Sequence, residues 1–146
     1  MAEITIEING LDEILSKLSK SSKEIEAPIK QGLTAIAFDA LESAQVLIQR
    51  GPKTGRIYKR KNVKHQASAP GEAPATDEGE LVNSFQVNVL SFDKIDLINA
   101  AGHAFYLEYG TREIQPRPFM RPAALAAAER GIATLNAVVS AALKED

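Results

Sequence analysis

The chain has 146 residues, enough to bury one core but too few for two ordinary domains, so residues 1–146 are expected to form a single domain. Hydrophobic residues make up 45% and charged residues 25%, values typical of globular proteins, and the net charge of −2 indicates no particular partner. Because the chain has no cysteine, disulfides and thiolate metal sites are excluded. No secretory signal or membrane segment is expected, since the N-terminus lacks a basic start and no apolar run approaches the roughly 20 residues that span a bilayer.

The N-terminal third predicts one strand and two helices. Isoleucines alternate with polar residues over 3–8, the period of a half-buried strand. A short amphipathic helix is predicted over 11–20. A longer helix is predicted from about Pro28, which suits a first turn, to Arg50, where a glycine and a proline follow. Its predicted buried face consists of Ile29, Leu33, Ile36, Ala40, Ala44 and Leu47.

The segment 51–79 differs from the rest of the chain. Hydrophobic residues almost vanish, and glycines and prolines recur throughout. A connection of this length is far longer than ordinary loops, which indicates a functional segment or one disordered in isolation, and we expect both. No regular structure is predicted there.

The C-terminal half predicts a hairpin followed by two helices. Alternating apolar residues indicate a strand through Leu81, Phe85, Val87 and Val89, a turn at 92–94, and a returning strand through Ile95, Leu97 and Ile98. A short helix over 100–109 and a proline-rich segment over 110–122 lead into a helix over 122–143. The predicted buried stripe of that last helix is Leu125, Ala128, Ile132, Leu135, Val139 and Ala142.

Helices and strands are grouped without a βαβ repeat, which predicts an α+β fold. Its antiparallel sheet would be packed by a long central helix and a C-terminal helix, with a long flexible loop between the helix and the hairpin.

A run of cations inside this loop is the most unusual electrostatic feature. Besides Lys53 it comprises Arg56, Lys59, Arg60, Lys61 and Lys64. The run suits phosphate contacts, an acidic surface on a neighbouring subunit, or solvent alone. The acidic residues that follow at Glu72, Asp77, Glu78 and Glu80 would cancel part of its field, which weakens the nucleic-acid interpretation.

No catalytic, cofactor or metal site is predicted. Residues 51–55 lack the order of a phosphate-binding loop, and they follow a helix where such a loop follows a strand. Neither His65 nor His103 is framed by a nucleophile and an orienting carboxylate. An enzyme would require a concave site that gathers His103 with carboxylates.

The segment 106–122 carries the most information. Three prolines hold it extended, and arginines alternate with the apolar anchors Phe119 and Met120. Two interpretations are open. The segment is either a stiff connector whose Phe119 fills the core, or an exposed edge whose apolar anchors flanked by arginines are typical of protein–protein interfaces.

In this segment Tyr106-x-Glu108-Tyr109-Gly110-Thr111, followed by Pro116-Arg117-Pro118-Phe119-Met120-Arg121-Pro122-Ala123, resembles a signature of siphophage head–tail joining and tail-completion proteins, the gene-product-ten-like family. Upstream, three further motifs are similar to the same family: Pro52-x-Thr54-Gly55, Ser68-Ala69-Pro70-Gly71-Glu72-x-Pro74 and Gly79-x-Leu81-x-x-Ser84. The resemblance covers roughly 51–123.

The resemblance implies a structural α+β subunit, with no catalytic residues, that assembles into a homo-oligomeric ring at the phage neck or tail. It implies contacts with connector or tail-tube proteins, a place in the virion after assembly in the bacterial cytoplasm, and non-specific contact with channel DNA. The expected subunit interface, or its supporting turn, consists of Tyr106, Glu108, Tyr109, Gly110, Thr111, Pro116, Arg117, Phe119 and Arg121. The expected mobile basic arm consists of Arg56, Lys59, Arg60, Lys61 and Lys64. The alternative is a DNA-binding protein that uses the basic loop 53–64.

Overall fold

The computed structural model describes residues 1–10 and 22–144, so the helix predicted over 11–20 lies outside the described residues. In chain order the elements are β1 (Ala2–Glu7), α1 (Ser22–Arg50), β2 (Ile57–Arg60), β3 (Val63–Gln66), α2 (Glu80–Asn83), β4 (Phe85–Ser91), β5 (Lys94–Asn99), α3 (Ala104–Tyr109) and α4 (Met120–Lys144). A three-stranded antiparallel sheet has the order β1-β5-β4, and β2 pairs with β3 in a second, two-stranded sheet. The long helices α1 and α4 pack on the larger sheet, which confirms the predicted α+β fold.

One face of the three-stranded sheet forms the core, and the other is polar. Ile4 is registered opposite Leu97, and Ile6 opposite Ile95, on the face that the helices cover. Ile95 and Leu97 are fully buried there. On the outer face, the Thr5 hydroxyl donates a hydrogen bond to Asp96 at 2.7 Å. The isoleucine alternation in β1 therefore predicted its buried face correctly.

Helix α1 begins at Ser22, six residues before the predicted start at Pro28. The apolar stripe continues upstream because Ile25 lies one turn before Ile29 and is buried with it. The first five predicted stripe positions, Ile29 to Ala44, are buried as expected. At the C-terminal end, Leu47 is only partly buried and Ile48 takes the buried position.

The predicted buried stripe of α4 is wrong at Leu125 and Ile132, while Leu135 and Val139 are partly buried against the core as expected. Leu125 and Ile132 are 61% and 58% exposed, and the buried positions are Met120, Ala123, Ala124 and Ala127. A Cβ on Gly131 would lie 2.3 Å from the Ile36 side chain, and one on Gly32 would lie 2.6 Å from that of Leu135. The two helices approach closely because Ile36 and Leu135 each pack over a glycine of the other helix.

The strand predicted to include Leu81 begins only at Phe85. Residues Glu80–Asn83 form the single helical turn α2, and the buried Asn99 amide donates to the Leu81 carbonyl oxygen at 2.7 Å. Because Asn99 also accepts the N–H of Ala101 at 3.1 Å, residues 100–103 form a turn and α3 starts at Ala104, later than predicted.

The prediction of no regular structure over 51–79 is wrong at 57–66, where β2 and β3 form a hairpin. Its two-residue turn has positive φ angles at Lys61 and Asn62, +46° and +64°, as a type I′ turn requires. Hydrogen bonds between Ala67 and both Gly55 and Arg56, at 2.9 and 3.0 Å, close its base. Disorder of this segment in the free protein remains a prediction.

Candidate functional site

The Glu108 side chain organises the segment that carries the family resemblance. Its carboxylate accepts the backbone N–H groups of Phe119, Met120 and Arg121 at 2.8, 2.9 and 2.8 Å. These are among the first N–H groups of α4, which have no partner within the helix, and the helix dipole favours a negative charge at this end. Glu108 is 4% exposed, so this cap fixes where α4 begins relative to α3.

A tight turn follows Glu108. Gly110 has φ +76° and ψ 179°, a conformation essentially restricted to glycine, and a Cβ there would lie 2.8 Å from the Ile114 carbonyl oxygen. The Thr111 hydroxyl accepts the N–H groups of Glu113 and Ile114 at 3.1 and 3.0 Å. The turn therefore depends on the backbone conformation of Gly110 and on the hydrogen bonds accepted by Thr111.

Two backbone hydrogen bonds tether the extended part after the turn. The Arg117 N–H donates to the Leu107 carbonyl at 2.7 Å, which holds the segment against α3. The Gly71 N–H donates to the Pro116 carbonyl at 3.0 Å, which joins it to the loop after the hairpin. Phe119 then enters the core, fully buried, edge-on to Phe85 at a ring-centroid distance of 6.0 Å.

Helix α3 presents three aromatic residues to solvent: Phe105, Tyr106 and Tyr109, which we call the aromatic patch. The rings of Phe105 and Tyr109 lie 4.9 Å apart, and the Arg121 guanidinium carbon lies 6.0 Å from the Tyr109 ring centroid. Exposed aromatic and arginine side chains in contact with one another are enriched at protein–protein interfaces.

A groove runs from the aromatic patch along the outer edge of β1. It is lined by strand residues 3–7 on one side and by Tyr109, Arg121, Leu125 and residues of α4 on the other. Among the described residues, β1 pairs only with β5, so its other edge faces this groove. Leu125, predicted to be in the core, instead forms part of the groove wall.

The basic residues lie on the hairpin β2–β3, where their side chains divide between its two faces. Lys59 is registered directly opposite Lys64, so these two cations share one face, while Tyr58, Arg60 and His65 share the other. Lys61 occupies the turn. The exposed Lys59, Lys61 and Lys64 form no ion pair within the described chain.

The second face of the hairpin is fastened to residues 77–78. Arg60 bonds to Asp77 and, at 3.0 Å, to Glu78, and the hydrogen bond and charge of Asp77 raise the pKa of the Arg60 guanidinium. His65 Nδ1 lies 3.6 Å from Asp77, and its ring stacks on Tyr58 at 5.6 Å. Arg60 is therefore neutralised within its own chain.

The two motifs that flank the hairpin are bonded to each other by Glu72. Its carboxylate accepts the Thr54 hydroxyl, the Thr54 N–H at 2.9 Å and the Ala69 N–H at 2.8 Å. These hydrogen bonds hold the pKa of Glu72 below its usual range, and the bond from the Thr54 hydroxyl has the largest effect. Gly55 must be glycine here because a Cβ would lie 2.5 Å from the Ser68 carbonyl oxygen.

A shallow depression does bring His103 near carboxylates. His103 Nδ1 lies 3.9 Å from Glu80, and Asp77, Glu78 and Arg60 line the same depression. The side chains of His103 and Glu80 are both about half exposed, so solvent screens them and no proton donor is desolvated. In the described part of the chain, no three histidine or acidic side chains are grouped as metal ligands.

The structure divides the nine predicted interface residues into two sets. Five are engaged in building the segment: Glu108, Gly110, Thr111, Arg117 and Phe119. Four are exposed: Tyr106, Tyr109, Pro116 and Arg121. The sequence interpretation missed Glu72 and Leu125, since neither a capping carboxylate in a loop nor an outward-facing leucine has a local signature.

No model of a known protein family matches the chain, and searches of curated proteins and of solved structures found no similar protein. Within the described residues, no helix combines the length and the apolar character that crossing a membrane requires.

Proposed function

We propose that this chain is a structural subunit that forms a ring at the neck or tail of a tailed phage, joining head to tail or completing the tail. The single observation that supports this most is how the motif 106–122 is built. Its buried Glu108 fixes the segment against α4, and its tyrosines and Arg121 are left on the surface. A segment held this firmly with exposed anchors suits binding, because little ordering entropy is lost on association.

A ring requires each subunit to offer two different surfaces, one of which meets the other on the next subunit. This chain has two unlike surfaces, the aromatic patch with its groove and the basic hairpin. Further partners would be connector or tail-tube proteins, in a virion assembled in the bacterial cytoplasm. We expect no enzymatic activity, since the half-exposed His103 and Glu80 lack the desolvation that tunes catalytic groups.

The second candidate is a DNA-binding protein, favoured by Lys59, Lys61 and Lys64 on the hairpin, which are exposed and form no ion pair with any described residue. It is the weaker candidate because Arg60 is neutralised by Asp77 and Glu78, which leaves few cations to displace counterions. Contact with DNA inside a ring channel would still use the same lysines.

The test is the solution mass of the full chain over a concentration series, measured by light scattering after size exclusion. Wild type is expected to form a discrete multimer, and Tyr109→Glu is expected to shift it towards monomer because a charge would enter the aromatic patch. Gln86→Glu, on the exposed outer face of β4, is the matched control and should leave the mass unchanged. A monomer at every concentration, combined with steeply salt-dependent binding to duplex DNA, would favour the second candidate.

A further inference from the structure

We infer that the hairpin β2–β3 of one copy docks along the free edge of β1 in the next copy, which rests on the proposed ring function. The contact would be head-to-tail, because the hairpin and the β1 edge are different surfaces of the chain. It would extend the three-stranded sheet of one subunit with a strand from its neighbour.

The acceptor is an edge strand with its backbone still available. Among the described residues, β1 pairs only with β5, so the N–H and C=O groups of its other edge have no strand partner. Such edges are templates for an added strand from another chain. The groove beside β1 also offers apolar surface, since Leu125 is 61% and Tyr109 is 42% exposed.

The donor is a hairpin that, within the described residues, pairs with no further strand. A two-stranded hairpin is at best marginally stable by itself in water. Ile57 and Val63 are 63% and 56% exposed on its two strands, and of the eight strand residues only His65 is partly buried. Docking through the face of Lys59 and Lys64 would cover Ile57, which shares that face, and would give one edge of the hairpin a further strand partner.

The lysine face of the donor is complementary in charge to the glutamates of the β1 edge, and among the described residues the one cation that lines the groove, Arg121, lies on its α4 side. Lys59 opposite Lys64 is a like-charge cross-strand pair, which disfavours the isolated hairpin. The β1 edge carries Glu3 and Glu7 on the outer face; Glu7 is paired with Lys94 at 3.0 Å, while Glu3 has no ion pair in the described chain. A neighbour's carboxylates would therefore offset the repulsion between the two lysines.

The hairpin's orientation also favours a second copy over its own chain. Arg60 and His65 hold one face against Asp77. The opposite face, which carries Lys59 and Lys64, consequently points away from the protein that supplies it. Within the described residues no side chain of the same chain complements this face, so a second copy can supply one.

Cysteine cross-linking tests this contact on a clean background, because the full chain contains no cysteine. The double variant Lys59→Cys/Glu3→Cys is oxidised at low protein concentration and resolved without reductant. A ladder of covalent multimers is expected, since each copy would join two neighbours. The single variants should stop at dimers. The matched control Lys59→Cys/Asn88→Cys places the second thiol on the exposed outer face of the other edge strand, β4. This control should cross-link at least about tenfold more slowly than the test variant, because its thiols would meet only by random collision.

Charge reversal gives an independent readout. Lys59→Glu/Lys64→Glu and Glu3→Lys should each weaken association by about tenfold, and combining all three should restore much of the loss. Equal ladders from the test and control pairs, or reversals that leave association unchanged, would overturn the contact. If wild type still forms multimers under those conditions, the docking inference fails while the ring proposal stands. A wild-type monomer with no ladder overturns both.

Discussion

Glu108 and Phe119 are joined by a 2.8 Å hydrogen bond from the Phe119 N–H to the Glu108 carboxylate, although both side chains belong to a segment that resembles an exposed interface motif. One residue caps a helix and the other fills the core. Both are thereby unavailable as surface contacts, and their role in assembly would be to hold Tyr109 and Arg121 in place.

Glu108→Ala should lower the free energy of unfolding by about 2–4 kcal/mol, since it removes a helix cap and leaves buried N–H donors without partners. Urea unfolding monitored by circular dichroism measures the change. Glu113→Ala, at an exposed position five residues later, is the control and should stay within about 0.5 kcal/mol of wild type. Similar losses in both variants would contradict the capping role.

Phe119→Ala should cost about 3–5 kcal/mol, because the side chain is fully buried against Phe85 and its removal leaves a cavity. Leu125→Ala, in the first turns of α4, removes a smaller apolar side chain from an exposed site. It should change the free energy of unfolding by less than about 0.5 kcal/mol, while weakening self-association. The opposite ranking would show that the sequence-predicted stripe of α4 is the buried one after all.

Gly110→Ala should destabilise the protein by about 1–3 kcal/mol, since φ is +76° and the new Cβ would meet Ile114 and Pro116. Gly102→Ala is the matched control, because a Cβ there has no heavy atom within 4 Å and the backbone is not left-handed. Thermal unfolding of the two variants gives the comparison. An unchanged melting temperature for Gly110→Ala would mean that the turn accommodates the new Cβ without losing stability.

The Glu72 hydrogen bonds should make hairpin attachment pH-dependent. Because the folded pKa of Glu72 lies below its ordinary value of 4.5, its contribution to stability is present above pH 4.5 and is lost as pH falls through the folded pKa. The difference in free energy of unfolding between wild type and Glu72→Gln should therefore be largest near neutral pH and shrink below pH 4.5. A difference that stays constant down to acid pH would show that the ionised Glu72 carboxylate does not stabilise the folded protein.

Asp77→Asn should release the hairpin from the body of the protein without unfolding it. Amides in β2 and β3 should exchange faster with solvent, and trypsin should cut sooner at Lys59 or Lys61, while the global unfolding midpoint changes little because the ion pair is exposed. Asp93→Asn is a control away from the hairpin, beside Ser91 in the β4–β5 turn. Equal hairpin exchange in both variants would show that Arg60 does not fasten it.

Residues with a strong local pattern were predictable from the sequence. The alternation of Ile4 and Ile6, and the spacing of Ile29 and Leu33, follow directly from strand and helix periods, so the α+β architecture was correct. For α4 the interpretation failed because hydrophobic periodicity weights large side chains. Packing instead buried Ala123 and Ala127 and left the larger Leu125 and Ile132 exposed.

The hairpin was missed for a different reason. Its turn uses Lys61 and Asn62 at positive φ, where glycine is the usual signal, and its strands are too polar to show an apolar alternation. For the motif 106–122, the division into structural and exposed residues was not predictable. That division depends on where the Glu108 side chain lies relative to the start of α4, which is a tertiary relationship.

The reciprocal arrangement of Gly32 under Leu135 and Gly131 under Ile36 has a mechanical consequence. Sliding α4 along α1 would move these side chains off their glycines and, within about one turn of roughly 5.4 Å, against positions that carry a Cβ. The Arg130–Asp39 pair, bonded through two nitrogens at 2.9 Å, resists the same displacement. A pulling force applied at the start of α4 would thus be transmitted to α1 and the sheet with little displacement of one helix along the other.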